Sequence, residues 1–381
     1  MTRTLETGSK SRLAVLDNLR TGLIVLVVLH HVAMAYGAAG LGFYYVELHP
    51  DGFSRGLLIF VLSNQAWFMG GFFLVAGYLT PASLDRKGAR RFLSGRLIRL
   101  GIPLAVYVLL LNPLSTLGWF FVADPFGPMT WETFNYADSV RMGPMWFVAL
   151  LLIFSFGYTI GRTLVRRPGR ESPAPGATTV AAFVLALAGV TILMRLWIPV
   201  GEEWYGFPSL GYLPQYLSFF SVGVIAYRRD WLTNVRPGVG WAGLGMAALA
   251  TILLFPYAFS GEVFSIELTN AIGNAFGDSW HWQGGAYALW DSTLAVGLVL
   301  FLLTLGRSFL GSQSSVSRFL AGNTYGVYVL HIPIVVYIAV AMRNIEMDHI
   351  LKFGLAAVIA VPVCFAAAAI VRRIPGVSKV L

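Results

Sequence analysis

Arg20 and His31 are the first residues in the chain whose types and spacing suggest chemistry. They lie in the segment LDNLRTGLIVLVVLHHVAMAYG, which is otherwise almost wholly apolar. Eleven helical steps of about 100° bring His31 to within about 20° of the Arg20 face, roughly 16 Å further along the axis. One stripe of a helix thus carries a guanidinium at a membrane boundary and an imidazole beyond mid-membrane. His30 points about 80° off that stripe. Asp17, one turn before Arg20, is placed to hold the guanidinium. Ionisable groups inside an apolar span face a bundle interior or a wet cavity, which makes them functional candidates. The plainer alternative has Arg20 snorkelling to the interface and His31 hydrogen-bonding a neighbouring helix.

A second buried-type histidine follows late in the chain, in GNTYGVYVLHIPIVV. His331 falls about as deep into its apolar run as His31 does, with Tyr325 and Tyr328 before it at three-residue intervals. Its alternative role is to cap carbonyls freed by Pro333. A third feature is the basic stretch DRKGARRFLSGRLIRLGIP, which follows a helix expected to break near Gly77 and Pro81. Arg96 and Arg99 share a helix face, and paired guanidinium forks suit phosphate. Plain positive-inside charge accounts equally well for them. Asp291 is an intramembrane carboxylate with three open roles: a proton path, a pair with Arg195, or orientation of a catalytic histidine.

Other signals carry less. Gly238 to Gly243 matches the dinucleotide pattern GxGxxG, but it opens an apolar span with no strand before it, so packing is its expected role. His49, His281 and His349 are not at metal-ligand spacing, and no metal is expected. The single cysteine, Cys364, excludes a disulfide framework. Trp67, Trp119, Trp204, Trp280, Trp282 and Trp290 fall near expected outer boundaries and read first as an interfacial belt, second as sugar-stacking platforms.

The elements that must position these groups follow from composition. Of 381 residues, 57% are hydrophobic and 12% charged, about half the charge of a soluble domain. Apolar runs of about 20 residues match the bilayer core, where helices satisfy their own backbone groups. The expected fold is all-α, a polytopic transmembrane bundle of about ten spans, roughly 15–36, 56–80, 100–121, 144–163, 178–199, 211–227, 239–259, 284–305, 319–342 and 352–371. The net charge of +9 follows topology rather than nucleic acid. Arg86, Lys87, Arg90, Arg91, Arg166, Arg167, Arg228, Arg229, Arg372 and Arg373 fall on one side, with both termini, and that side is cytoplasmic. The opposite loops are acidic, with Arg55, Arg141, Arg343 and Lys352 as their cations. A single membrane domain over 1–381 is expected, with a short cytoplasmic segment 1–14, a flexible linker near 163–177, a retained first helix and no water-soluble domain.

On these residues the chain resembles the integral membrane acyltransferase family 3. The resemblance rests on Leu16 to Arg20 with His31 eleven residues on, an FFxxxGY-type run from Phe72 to Tyr78, and the RxxR pair Arg96 and Arg99. It continues in Trp146-Phe147, in an FxxGxxAYR-like run from Phe220 to Arg228, and in the YGxYxxH segment from Tyr325 to His331. Its closest flavour is a glucan-modifying branch, without the hydrolase-like domain that some members add. The resemblance implies a bacterial inner-membrane enzyme. Such an enzyme moves an acyl group, commonly acetyl, from acyl-CoA to a hydroxyl of a carbohydrate or glycolipid. Arg20, Arg96 and Arg99 would then meet the nucleotide end of the donor. His31 would act as general base, and His331 would orient the acceptor or stabilise the oxyanion. An acyl-histidine intermediate stays open, as do the oligomeric state and a rival class, a proton-coupled secondary transporter.

Overall fold

A computed structural model describes residues 2–37, 43–47, 54–122, 128–164, 172–208, 210–231, 236–259 and 282–381, with side chains from Ala14 onward. Asp51, Asp124, Arg166, Arg167, Arg170, Glu262, Glu267, Asp278, His49, His281 and Trp280 lie outside the described residues. Among the described residues the structure is helical, with one isolated bridge between Trp204 and Phe207.

We number the helices α1 (Thr2–Tyr36), α2 (Arg55–Gln65), α3 (Phe68–Lys87), α4 (Ala89–Phe121), α5 (Tyr136–Ser139), α6 (Trp146–Leu164), α7 (Ala177–Arg195), α8 (Leu213–Arg228), α9 (Pro237–Ala258), α10 (Trp282–Phe309), α11 (Ser315–Ala341) and α12 (His349–Val371). Nine of the described spans are long and apolar enough to cross a membrane, with α2 and α3 counted together. The expected sixth span is the shorter α8, 16 residues preceded by a single 3-10 turn, Leu210–Tyr212. Exposed Leu185, Val190 and Leu193 on α7 and Ile350, Leu351 and Val358 on α12 are the apolar faces that lipid requires. The protein is a multi-pass integral membrane protein.

Two local departures from the expected spans have plain causes. The helix expected to break at Gly77 and Pro81 instead runs through both, from Phe68 to Lys87. It stops at Gly88, whose φ of 74° suits a residue without a Cβ. Lys352 is not a loop cation, because α12 begins at His349, where Asp348 accepts hydrogen bonds from the Ile350 and Leu351 amides. Lys352 is therefore inside the helix and buried.

α4 is the least regular span. Leu97–Gly101 and Tyr107–Leu111 are π-helical, and Pro103 and Pro113 each follow two residues later. A proline ring crowds the carbonyl four residues before it, and a widened turn relieves that crowding. Pro113 also lacks the N–H that would bond the Leu109 carbonyl. The Tyr136 hydroxyl donates to that carbonyl instead, at 2.6 Å.

The chain forms two compact units. The first comprises Met1–Leu19, Gln65–Ser94 and Ile153–Gln313. Inside it, α3 and α8 touch backbone to backbone. A Cβ on Gly77 would strike the Phe220 carbonyl, and one on Gly223 would strike the Leu74 carbonyl. The runs Phe72 to Tyr78 and Phe220 to Arg228 are thus the two sides of one contact. α9 and α10 meet in the same way at Gly243 and Gly297, which gives the GxGxxG run its packing role. Trp290 is buried and donates to Thr251 at 3.1 Å, so it is a core residue and not part of an interfacial belt. The second unit comprises Arg20–Asn64, Gly95–Leu152 and Ser314–Leu381. There α11 packs on α12, with Gly326 facing Ala368, and Tyr337 donates to the Leu114 carbonyl of α4 at 2.8 Å.

Candidate active site

Within the second unit, α1 and α11 bring His31 and His331 together. Their ring centroids are 4.8 Å apart at an interplanar angle of 65°. The sequence placed them at similar depth. The structure adds that they touch. Nδ1 of His31 lies 2.8 Å from the Val27 carbonyl, and Nδ1 of His331 lies 2.7 Å from the Tyr328 carbonyl. A carbonyl only accepts, so in each ring Nδ1 carries the proton and Nε2 is the basic nitrogen. Nε2 of His331 is buried with no hydrogen-bond partner. His31 keeps some exposure, while His331 has none.

The pair is walled by aromatic and polar groups of the same unit. Tyr328 stacks on His331 at 5.8 Å and donates its hydroxyl to the Pro144 carbonyl, and Phe147 packs edge-on against Tyr328 at 5.9 Å. Phe43 covers His31 at 5.8 Å. Next to Phe43, the Tyr44 hydroxyl donates to Oδ1 of Asn112, whose amide donates to the Ser139 carbonyl at 2.7 Å. Gly143, at φ 46°, lies under this network, and a Cβ there would sit 2.6 Å from the Tyr44 oxygen and 2.7 Å from Asn112 Oδ1.

The segment Phe43 to Glu47 is fixed at its far end. The Glu47 amide donates to the Ala35 carbonyl at 2.8 Å, and its carboxylate receives both bonds from Lys352. Burial and the neighbouring Glu47 charge push the Tyr45 phenol up to about 12, and Arg343 offsets part of that rise.

The arginines gather around Arg20, near the start of the apolar part of α1. Arg20 donates to Thr324 Oγ1 at 3.4 Å. Arg96 lies within electrostatic reach of Arg99, Arg20 and the Tyr325 phenol. One unit therefore holds His31, His331, Arg20, Arg96, Arg99, Tyr325 and Tyr328. The two acids are placed in the first unit. Asp17 accepts a bond from Gln313 at 3.4 Å. Asp291 is buried and paired with Arg195, whose guanidinium lies between the Tyr212 and Tyr287 rings at 4.7 and 4.9 Å. Of the three roles open to Asp291, this geometry matches the Arg195 pair.

Sequence reasoning passed over Tyr44, Asn112, Thr324 and the Glu47–Lys352 pair. Asn112 stood out only as an amide inside an apolar run. Thr324 adjoins the Tyr325 motif but has no spacing signal of its own. Glu47 and Lys352 are 305 positions apart, and no local pattern joins them.

Residues 13–369 match the acyltransferase-3 family model, described as an acyltransferase domain. Among curated proteins the chain is similar to glucans biosynthesis protein C of Salmonella schwarzengrund strain CVM19633, 22% identical over 343 residues, or 84% of this chain and 82% of that one. The same protein from Salmonella agona strain SL483 and from Salmonella paratyphi A strain ATCC 9150 / SARB42 is 23% identical over the same shares. No solved structure matches the chain. The family match covers nearly the whole chain and contains every residue of the candidate site, so the chain belongs to acyltransferase family 3 and is a membrane acyltransferase.

Proposed function

We propose that this enzyme moves an acyl group, acetyl in the simplest case, from a cytoplasmic acyl-CoA to a hydroxyl of a cell-envelope carbohydrate. The observation that carries the reading is the contact between His31 and His331, each with its Nδ1 proton committed to a backbone carbonyl. Two basic Nε2 atoms in one buried place suit the removal of a hydroxyl proton.

The polyanionic end of coenzyme A cannot enter hydrocarbon and rests against Arg20, Arg96 and Arg99, where bidentate guanidinium contacts hold phosphates. The neutral pantetheine arm runs along α1 for roughly 16 Å, the rise of eleven residues, and brings the thioester to His31. Nε2 of His31 takes the proton of the acceptor hydroxyl as its oxygen bonds to the thioester carbon. The carbon–sulfur bond breaks, and the leaving thiolate takes the proton back from the imidazolium to give free coenzyme A. His331, neutral with its Nδ1 proton engaged, can only accept at Nε2, and there it orients the acceptor through a second hydroxyl of the sugar, since the reacting hydroxyl gives its one proton to His31. Carbohydrate as the acceptor is supported by the relatives, whose name places them in glucan biosynthesis.

The test is thiol release from acetyl-CoA by the full chain in lipid, with and without a glucan acceptor. His31→Ala lowers turnover by about 10²–10⁴-fold and leaves coenzyme A binding intact. Turnover within a few-fold of the parent removes His31 from the chemistry.

A further inference from the structure

Three consecutive residues of α11 each meet arginines from a different helix or helix end. Successive helical residues project about 100° apart, so Asn323, Thr324 and Tyr325 face three directions at one level. Asn323 Oδ1 accepts from Arg372 at 3.1 Å, just past the end of α12, while its amide donates to the Phe319 carbonyl at 2.7 Å. Arg372 also donates to the Gly322 carbonyl, across a position with no side chain to obstruct it. Thr324 Oγ1 donates to the Ala321 carbonyl at 3.0 Å and accepts from Arg20 of α1. Tyr325 lies within electrostatic reach of Arg99 and Arg96 of α4. Asn323 and Thr324 are buried, and their bonds to Arg372 and Arg20 are partly buried, while the Arg372 bond to the Gly322 carbonyl is exposed.

The Tyr325 hydroxyl is buried and has no hydrogen-bond partner. Its neighbours explain what it lacks. Guanidinium groups only donate, so nothing in Arg96 or Arg99 can receive the phenolic proton. An unmet donor beside a concentration of positive charge is satisfied by an oxyanion, and phosphate has enough acceptor oxygens to serve the hydroxyl and a guanidinium at once.

We propose that Thr324 and Tyr325 belong to the recognition element for the phosphates of the donor, with Tyr325 binding a phosphate oxygen directly. Thr324 acts through Arg20 as a positioning residue, fixing the direction of that guanidinium. Asn323 holds Arg372 about 160° round α11 from Tyr325, so that pair stands outside this site. The inference rests on the acyl-CoA reading and extends it to residues outside the RxxR pair.

The experiment measures kcat and KM for acetyl-CoA with the full chain in lipid nanodiscs, beside an acetyl thioester of cysteamine, which has no phosphate. Tyr325→Phe raises KM for acetyl-CoA by about ten-fold or more, as loss of a hydrogen bond to a charged group requires. kcat changes little, the mark of lost ground-state binding, and the cysteamine thioester is used equally well before and after substitution. Thr324→Val also raises KM, and Thr324→Ser, which keeps the hydroxyl, brings it back. That serine rescue reads the same site if Tyr325→Phe does not fold. Unchanged KM in Tyr325→Phe and Thr324→Val, with KM raised by Arg96→Ala and Arg99→Ala, overturns this proposal and leaves the acyl-CoA reading standing. Unchanged KM in all four overturns both.

Discussion

The ammonium of Lys352 lies 2.7 and 2.6 Å from the two carboxylate oxygens of Glu47, and it is almost fully buried while Glu47 keeps some exposure. This pair anchors the segment that carries Phe43 to His31 and Tyr44 to Asn112. Removing one partner of a buried pair strands the other charge. Glu47→Leu is therefore expected to lower unfolding stability by about 3 kcal/mol and to slow turnover by displacing Phe43. The double variant Lys352→Met with Glu47→Leu regains most of that loss. Chemical denaturation in detergent reads the cycle, and a double variant worse than the single one argues against it.

Tyr136 and Pro113 should be coupled. Tyr136→Phe leaves the Leu109 carbonyl without its donor and costs about 1 kcal/mol. Pro113→Ala supplies a backbone N–H to that turn, and against this background Tyr136→Phe should cost little. Additive effects in thermal unfolding would show that the hydroxyl does not stand in for the missing amide.

Asp291 is expected to act through the fold. Asp291→Leu leaves the Arg195 guanidinium buried without its counter-charge, a loss of about 3–5 kcal/mol. Whatever folded protein remains should keep its kcat. A low kcat in stably folded Asp291→Asn would instead give the carboxylate a part in the chemistry.

The α9 and α10 contact tolerates no added bulk. A Cβ on Gly297 would run into the Gly243 carbonyl, and one on Gly243 would sit 2.8 Å from the Gly297 oxygen. Gly297→Val is expected to abolish the monodisperse peak in fluorescence-detected size exclusion. An exposed control on α9, Gly245→Ala, meets nothing within 4 Å and should gain a few tenths of a kcal/mol up to about 1 from helix propensity.

The spans were legible because lipid imposes a length and a composition that few other constraints disturb. The helical phase between Arg20 and His31 was legible for a similar reason, since one uninterrupted helix carries both. What the sequence hid was whatever depends on chain closure over hundreds of residues. Depth along a span can be counted, but azimuth around it cannot, so the meeting of His31 and His331 needed coordinates. The hidden burial of Lys352 is a boundary error with a physical source. A charge near the end of an apolar run looks like a loop residue unless its carboxylate partner is known. Tyr328 was marked by its spacing from His331, yet its hydroxyl bond to the Pro144 carbonyl joins segments 184 positions apart.

Two turns of α4 each hold one residue more than an ordinary helix would give them. Each extra residue advances everything beyond it by about 100°. The span therefore behaves like a shaft with two phase slips. Arg96 comes before the first, Arg99 lies within it, and Asn112 follows the second. Deleting a residue from the second turn, Leu110 for example, would leave a sound membrane helix with its guanidinium end unmoved, but Asn112 would point away from Tyr44. The angular setting between the charged end of this span and its amide is thus carried by residue count alone, and a one-codon deletion would reset it without changing any side chain that touches the site.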